Sequence, residues 1–272
     1  MTYSQIIKRL RLHQKYVITK LSETNVSDWS VLCTCLRGSQ NYGLDHANSD
    51  VDSLTVVVPT ARSFVLAKTF SKEYTLDKEK LTVIDIQSYV RQLKKANPAL
   101  LETAFTDYFI TPDNKYDSYK DELKEIAEKL LYCQPKATAF SVIGDIFSFL
   151  KKVYCNDDYN AKAMCGAYRL YEWLVSYLKD ELDDGAPFEM KDPWFMYNYW
   201  EMRIADRGED YDIIYNDTKI LKDALVTDDF EKLCEHLDAE PVMLNATKKS
   251  TLTKLDSWCA KVFEKLNSLD RI

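Results

Sequence analysis

The stretch Gly38-Ser39-Gln40-Asn41-Tyr42-Gly43-Leu44, followed by Ser49-Asp50-Val51-Asp52, limits what this chain can fold into more than any other part of it. It lies between two apolar runs, residues 31–36 and 54–58, and Pro59 closes the second. Each run reads as a buried strand. The order is therefore strand, Gly-Ser turn, polar connection, and two carboxylates one residue apart at the head of the next strand. Side chains alternate along an extended chain, so Asp50 and Asp52 point one way while Val51 points into the core. Two adjacent carboxylates repel unless a cation lies between them, and hard oxygen ligands at that spacing suit Mg²⁺. The Gly-Ser turn offers close backbone approach, exposed N–H groups and a hydroxyl, which is what a triphosphate needs.

Glycine use sharpens the point. The chain has six glycines in 272 residues, against roughly nineteen expected from average usage, and two of them, Gly38 and Gly43, fall in this stretch. A second candidate carboxylate is Asp85, set in the β-prone run Leu81-Thr82-Val83-Ile84-Asp85-Ile86. A carboxylate inside an apolar strand is costly to desolvate unless it is paired or bound to metal. The plain alternative is an edge-strand residue facing water.

The net charge of −7 argues against a long nucleic-acid footprint, but not against recognition of a nucleic-acid end or of one nucleotide. Seven cysteines occur without a CxxC pair, and three histidines lie far apart. This favours reduced, buried thiols over a zinc site. No apolar run reaches the ~20 residues that a bilayer-spanning helix requires. The expectation is a soluble, cytoplasmic protein with no membrane partner.

Helical periodicity runs over residues 3–21, 87–96 and 99–105. A hairpin is expected with arms at 73–76 and 81–86, and a short strand at 108–110. Beyond residue 116 the pattern is helical throughout: 117–131, 137–154, 160–181, 194–207, 218–225, 229–237 and 252–269. The fold class expected is α+β, a mixed twisted sheet flanked by helices and followed by an all-helical domain, divided as 1–115 and 116–272.

The Gly38–Leu44 and Ser49–Asp52 stretches resemble the signature of the DNA polymerase β-type nucleotidyltransferase superfamily, and within it the bacterial and phage group associated with RNA repair. Asn97-Pro98 with Glu102, and Lys162 with Tyr168-Arg169-Leu170, extend the likeness. The resemblance implies that Gly38 and Ser39 hold the β and γ phosphates, with Lys162 and Arg169 assisting. It implies that Asp50, Asp52 and Asp85 bind two Mg²⁺ ions (or Mn²⁺), with Asp85 also the base for the attacking hydroxyl. Glu102 is the alternative third carboxylate, or a structural residue. The activity implied is transfer of a nucleoside monophosphate from an NTP to a hydroxyl with release of pyrophosphate. The acceptor is an RNA 3′ end, slightly ahead of a protein hydroxyl or a small molecule. The rival reading is a catalytically silent nucleotide- or partner-binding protein on the same fold. His46 reads as a loop residue or phosphate donor, and the aromatic run 194–200 as core helix or base-stacking platform. Base preference and oligomeric state stay open.

Overall fold

The structure, a computed structural model, describes residues 1–42, 45, 49–112, 117–155, 158–182, 207–239 and 249–269. The chain forms two compact units, one made of residues 1–95, 99–130 and 248–272, the other of 96–98 and 131–247.

The first unit is built on a five-stranded sheet. Its strands are β1 (Ser30–Arg37), β2 (Asp52–Val58), β3 (Ser71–Leu76), β4 (Glu79–Asp85) and β5 (Phe109–Ile110), in the order β3-β4-β2-β1-β5. β1 runs antiparallel to β2 and β5, and β3 antiparallel to β4. β2 and β4 are parallel, with Ser53 level with Leu81 and Val57 level with Asp85. Parallel neighbours require a crossover. Here it is made by helix α2 (Ala61–Val65) and the exposed edge strand β3.

Helix α1 (Tyr3–Ser22) starts at a capping box in which the Thr2 side chain and Gln5 satisfy each other's backbone N–H groups. Leu10, Val17 and Leu21 recur at helical spacing and are buried. Val17 and Leu21 pack with Val31, Val57, Leu81 and Val83 into one apolar cluster. His13 and Gln14 of the same helix reach Ser53 and Thr34. One sheet face is thus covered by α1. Alternation puts Cys33 and Cys35 on the other face, with α3 (Ile86–Leu93) and α4 (Pro98–Phe105). There the Tyr89 and Thr103 hydroxyls bond at 2.9 Å. Burial pushes the Cys35 thiol up to about 12, so it is protonated and inert. The six cysteines whose side chains are described are free thiols.

Helix α5 (Asp117–Cys133) leads out of this unit. In the second unit, α6 (Pro135–Val153) and α7 (Ala161–Leu178) pack closely. A Cβ on Gly166 would lie 2.8 Å from the Phe149 ring, so the close approach depends on that glycine. Between the two helices sits a hairpin of β6 (Tyr154–Cys155) and β7 (Asp158–Tyr159), which periodicity does not predict. Helices α8 (Arg207–Thr227) and α9 (Phe230–Leu237) follow, tied in by the Tyr171 hydroxyl donating to Asp217 at 2.8 Å and by Lys136 with Asp228. Residues 194–206 of the helix expected at 194–207, with its aromatic run, lie outside the described residues, as does His46.

The chain then returns to the first unit. Helix α10 (Lys249–Leu269) packs on α3, with Lys94 against Asp256 at 2.6 Å and Phe263 against Phe64 at 4.2 Å between ring centroids. A cut near residue 115 leaves this helix among the helical elements, whereas its contacts are with the sheet unit. Among the described residues no helix is long and apolar enough to cross a membrane. Leu81 is fully buried where α1 meets the sheet. Leu81→Ala is expected to cost about 2–5 kcal/mol, read as a lower urea midpoint.

Candidate functional site

β1 ends at Arg37, and Gly38 takes φ +111°, a backbone region that side chains disfavour. The turn leads into one 3-10 turn, Ser39–Tyr42, closed by Asn41 N–H donating to the Gly38 carbonyl at 3.0 Å. Asn41 is held from both sides. Its amide donates to the Leu36 carbonyl at 3.1 Å and its oxygen accepts from the Thr106 hydroxyl at 2.7 Å. Ser39 stays half-exposed. Gln40 is buried and donates to the Asp50 carbonyl at 2.7 Å. The Gly-Ser turn is thereby pinned directly to the start of the carboxylate segment.

Val51 is fully buried between an exposed Asp50 and a half-exposed Asp52, as alternation requires. Two neighbours on β4 hold this segment. Val51 N–H donates to Glu79 Oε1 at 3.2 Å, and Lys80 N–H donates to Asp52 Oδ1 at 2.8 Å. Glu79 belongs to a buried cluster on the α1 face. Its Oε2 meets His13 Nε2 at 2.6 Å and the Arg9 guanidinium, while His13 Nδ1 meets Ser53 Oγ at 3.0 Å. Arg9 also donates to Asp77 at 2.7 Å. Burial lowers the His13 pKa below 6.5, outweighing the opposing hydrogen bond from Glu79. His13 is therefore neutral at pH 7.

Asp85 is not brought to this site. It is the last residue of β4 and the N-cap of α3, fully buried, accepting from Ser88 N–H at 2.8 Å and Phe70 N–H at 2.9 Å. It is level with Val57, five residues along β2 from Asp52, or roughly 16 Å at strand rise. Each carboxylate oxygen accepts from a backbone donor, so in this structure Asp85 serves as the cap of α3, away from Asp50 and Asp52, where the sequence led one to expect a third metal ligand and base. Glu102 is buried and accepts from the Tyr42 hydroxyl, which fits the structural alternative. Among the described residues no three His, Cys, Asp or Glu side chains are grouped to hold a metal. Lys162 and Arg169 belong to the second unit. Lys162 is exposed in the first turn of α7, and Arg169 is half-exposed near Asp145, whose pKa burial raises.

Two cations at the sheet end went unread in the sequence. Arg37 is paired with Asp52 across β1 and β2 and donates to the Thr82 hydroxyl at 3.3 Å. Lys80 is the other. The signal for Arg37 was its place just before the turn. Lys80 needed the β2–β4 register.

Residues 13–141 match the model of a family described as "RNA repair pathway DNA polymerase beta family". That segment, from within α1 to the start of α6, belongs to the DNA polymerase β-type nucleotidyltransferase superfamily. No curated protein sequence matches the chain. A solved nucleotidyltransferase-like protein from Exiguobacterium sibiricum 255-15 is similar at 12% identity and a TM-score of 0.29, over 93% of this chain and 77% of that one.

Asp85→Ala removes a cap and strands the Phe70 N–H. A loss of about 2–4 kcal/mol is expected by chemical denaturation. For His13, the folded value is depressed below the unfolded 6.5, so the unfolded chain binds the extra proton first. Stability then falls as pH drops through about 6.5 and levels off below the folded value. Urea midpoints from pH 8 to 5 should fall less steeply in His13→Gln than in the parent.

Proposed function

We propose that the Gly38–Asp52 site binds a nucleoside triphosphate with a divalent cation and transfers its nucleoside monophosphate to a hydroxyl. The observation that carries this reading is the open pair Asp50 and Asp52 directly behind the turn at Gly38 and Ser39, pinned to it through Gln40. Exposed hard oxygens on neighbouring extended residues fit Mg²⁺ or Mn²⁺. When bound, the cation supplies charge neutralisation on the triphosphate and a lower pKa for the acceptor hydroxyl.

Ser39 and the backbone of the 3-10 turn would take the terminal phosphates. Arg37, at the foot of the turn, adds positive charge on the Asp52 side of the sheet. In the reaction, the acceptor oxygen forms a bond to the α-phosphorus as the α–β anhydride breaks. Pyrophosphate leaves with the electron pair, and the hydroxyl proton passes to solvent. Positioning and charge supply most of the catalysis in such a transfer. The family description supports an RNA 3′ end as acceptor, ahead of a protein or small-molecule hydroxyl.

A second reading rests on a specific observation. Asp85 is buried in a helix cap away from the pair, which favours a nucleotide-binding protein that does not transfer. Incubation with each α-labelled NTP and Mg²⁺, with total RNA or with lysate protein, separates the two. Label on RNA ends, lost in Asp50→Asn and Asp52→Asn, is the expected result. Cation-dependent NTP binding without any labelled product would establish the silent reading.

A further inference from the structure

Val51 is fully buried between Asp50 and Asp52, yet the ladders of β2 begin after it, at Asp52 with Arg37 and at Ser53 with Leu81. Its N–H finds a partner in a side chain instead, donating to Glu79 Oε1 at 3.2 Å. A buried N–H without an acceptor is costly. Residue 79 must therefore bring an oxygen to the point where the ladder stops.

The other oxygen of the same carboxylate reaches the far side of Asp52. Glu79 Oε2 meets the Arg9 guanidinium and, at 2.6 Å, His13 Nε2. An ionised carboxylate only accepts, so Nε2 carries the proton of the neutral ring, and His13 Nδ1 accepts from the Ser53 hydroxyl at 3.0 Å. Glu79 thus holds the residue before Asp52 directly and the residue after it through His13. The next residue along adds its backbone, Lys80 N–H donating to Asp52 Oδ1 at 2.8 Å. A buried ionic cluster gives little net stability over apolar packing of the same volume. What apolar packing cannot supply is the acceptor for Val51.

We infer that Glu79 is the positioning residue of the carboxylate pair, holding residues 50–52 in the extended form that sends Asp50 and Asp52 out on one side. The inference rests on the nucleotide-site reading above and names what sets its geometry before any ligand arrives. A segment already fixed in its binding form has less backbone freedom to lose when a cation is taken up. The decisive property of Glu79 is the reach of Oε1 to Val51, and its charge serves the cluster with Arg9.

Reach and charge are separated by Glu79→Asp, which keeps the charge on a shorter side chain, and Glu79→Gln, which keeps the oxygen and loses the charge. Arg9→Ala is the control that breaks the ion pair alone. Mn²⁺ affinity is titrated by electron paramagnetic resonance with α,β-methylene ATP and the corresponding analogue of each other nucleotide, alongside urea midpoints and hydrogen exchange at the Val51 amide. Glu79→Asp is expected to weaken Mn²⁺ binding roughly fivefold to thirtyfold, the cost of fixing one backbone residue again, and to speed exchange at Val51. Glu79→Gln and Arg9→Ala are expected to lower the urea midpoint while keeping the parent's affinity and its slow Val51 exchange. Affinity that follows the urea midpoint across the three variants would make the cluster purely structural and overturn the inference. Parent-like affinity in Glu79→Asp also overturns it and leaves the nucleotide site standing. If the parent binds no Mn²⁺ with any analogue, the site reading itself fails and the inference with it.

Discussion

The parallel pairing of β2 with β4 decides most of what this site can do. Parallel strands are joined through the backbone, so a side chain at the head of β2 inherits whichever β4 residue the register brings beside it. Here the register brings Lys80 to Asp52 and leaves Asp85 level with Val57. A one-residue slip would exchange Lys80 for Glu79 or Leu81 and turn the whole strand over. The slip is blocked by the core. Leu81 and Val83 are fully buried with Val17 and Val57, and Glu79 is fixed by partners on the α1 face. The apolar side of β4 thus holds its polar side in place.

The cluster of Glu79, His13 and Arg9 belongs to the same arrangement. A carboxylate beneath a sheet is expensive unless its oxygens are satisfied. Glu79 meets that need by accepting from Val51 N–H, His13 and Arg9. Its value to the site is geometric. Val51 is the one residue between Asp50 and Asp52, so fixing its N–H fixes the direction in which both carboxylates leave the chain. Gln40 does the same from the turn side through the Asp50 carbonyl. The anionic pair is exposed at its tips while its backbone is held from two directions.

The sequence made the turn and the carboxylate pair legible because both depend on local rules. Gly38 precedes a tight turn, and alternation alone separates Asp50 and Asp52 from Val51. The cap at Asp85 was hidden for an equally local reason. An Asp after an apolar run and before helical periodicity is a good N-cap, but counting Ile86 as strand hid the cap inside the strand. Residues 77–80 were read as one connecting turn, yet the strand begins at Glu79 and the turn is confined to Asp77, at φ +58°, and Lys78. That two-residue shift concealed both Glu79 and Lys80. Their neighbours lie 28 residues away in sequence, and no spacing rule carries information across a crossover of that kind. The β6–β7 hairpin escaped notice because two-residue strands leave no periodicity to detect.

Charge at the sheet end bears on how an acidic chain could take a triphosphate at the proposed site. The net charge is −7, and a general field of that sign repels a triphosphate at long range. At 0.15 M salt, however, exposed charges beyond ~8 Å are largely screened, so the groups at the turn outweigh the total. Those groups are the backbone N–H donors behind Gly38 and the guanidinium of Arg37, whose residue is level with Asp52 on β1. Without a divalent ion the two carboxylates oppose nucleotide binding. On the proposed reading, a divalent cation between carboxylates and phosphates would turn that balance, and nucleotide and cation would then raise the apparent affinity for each other by the same factor.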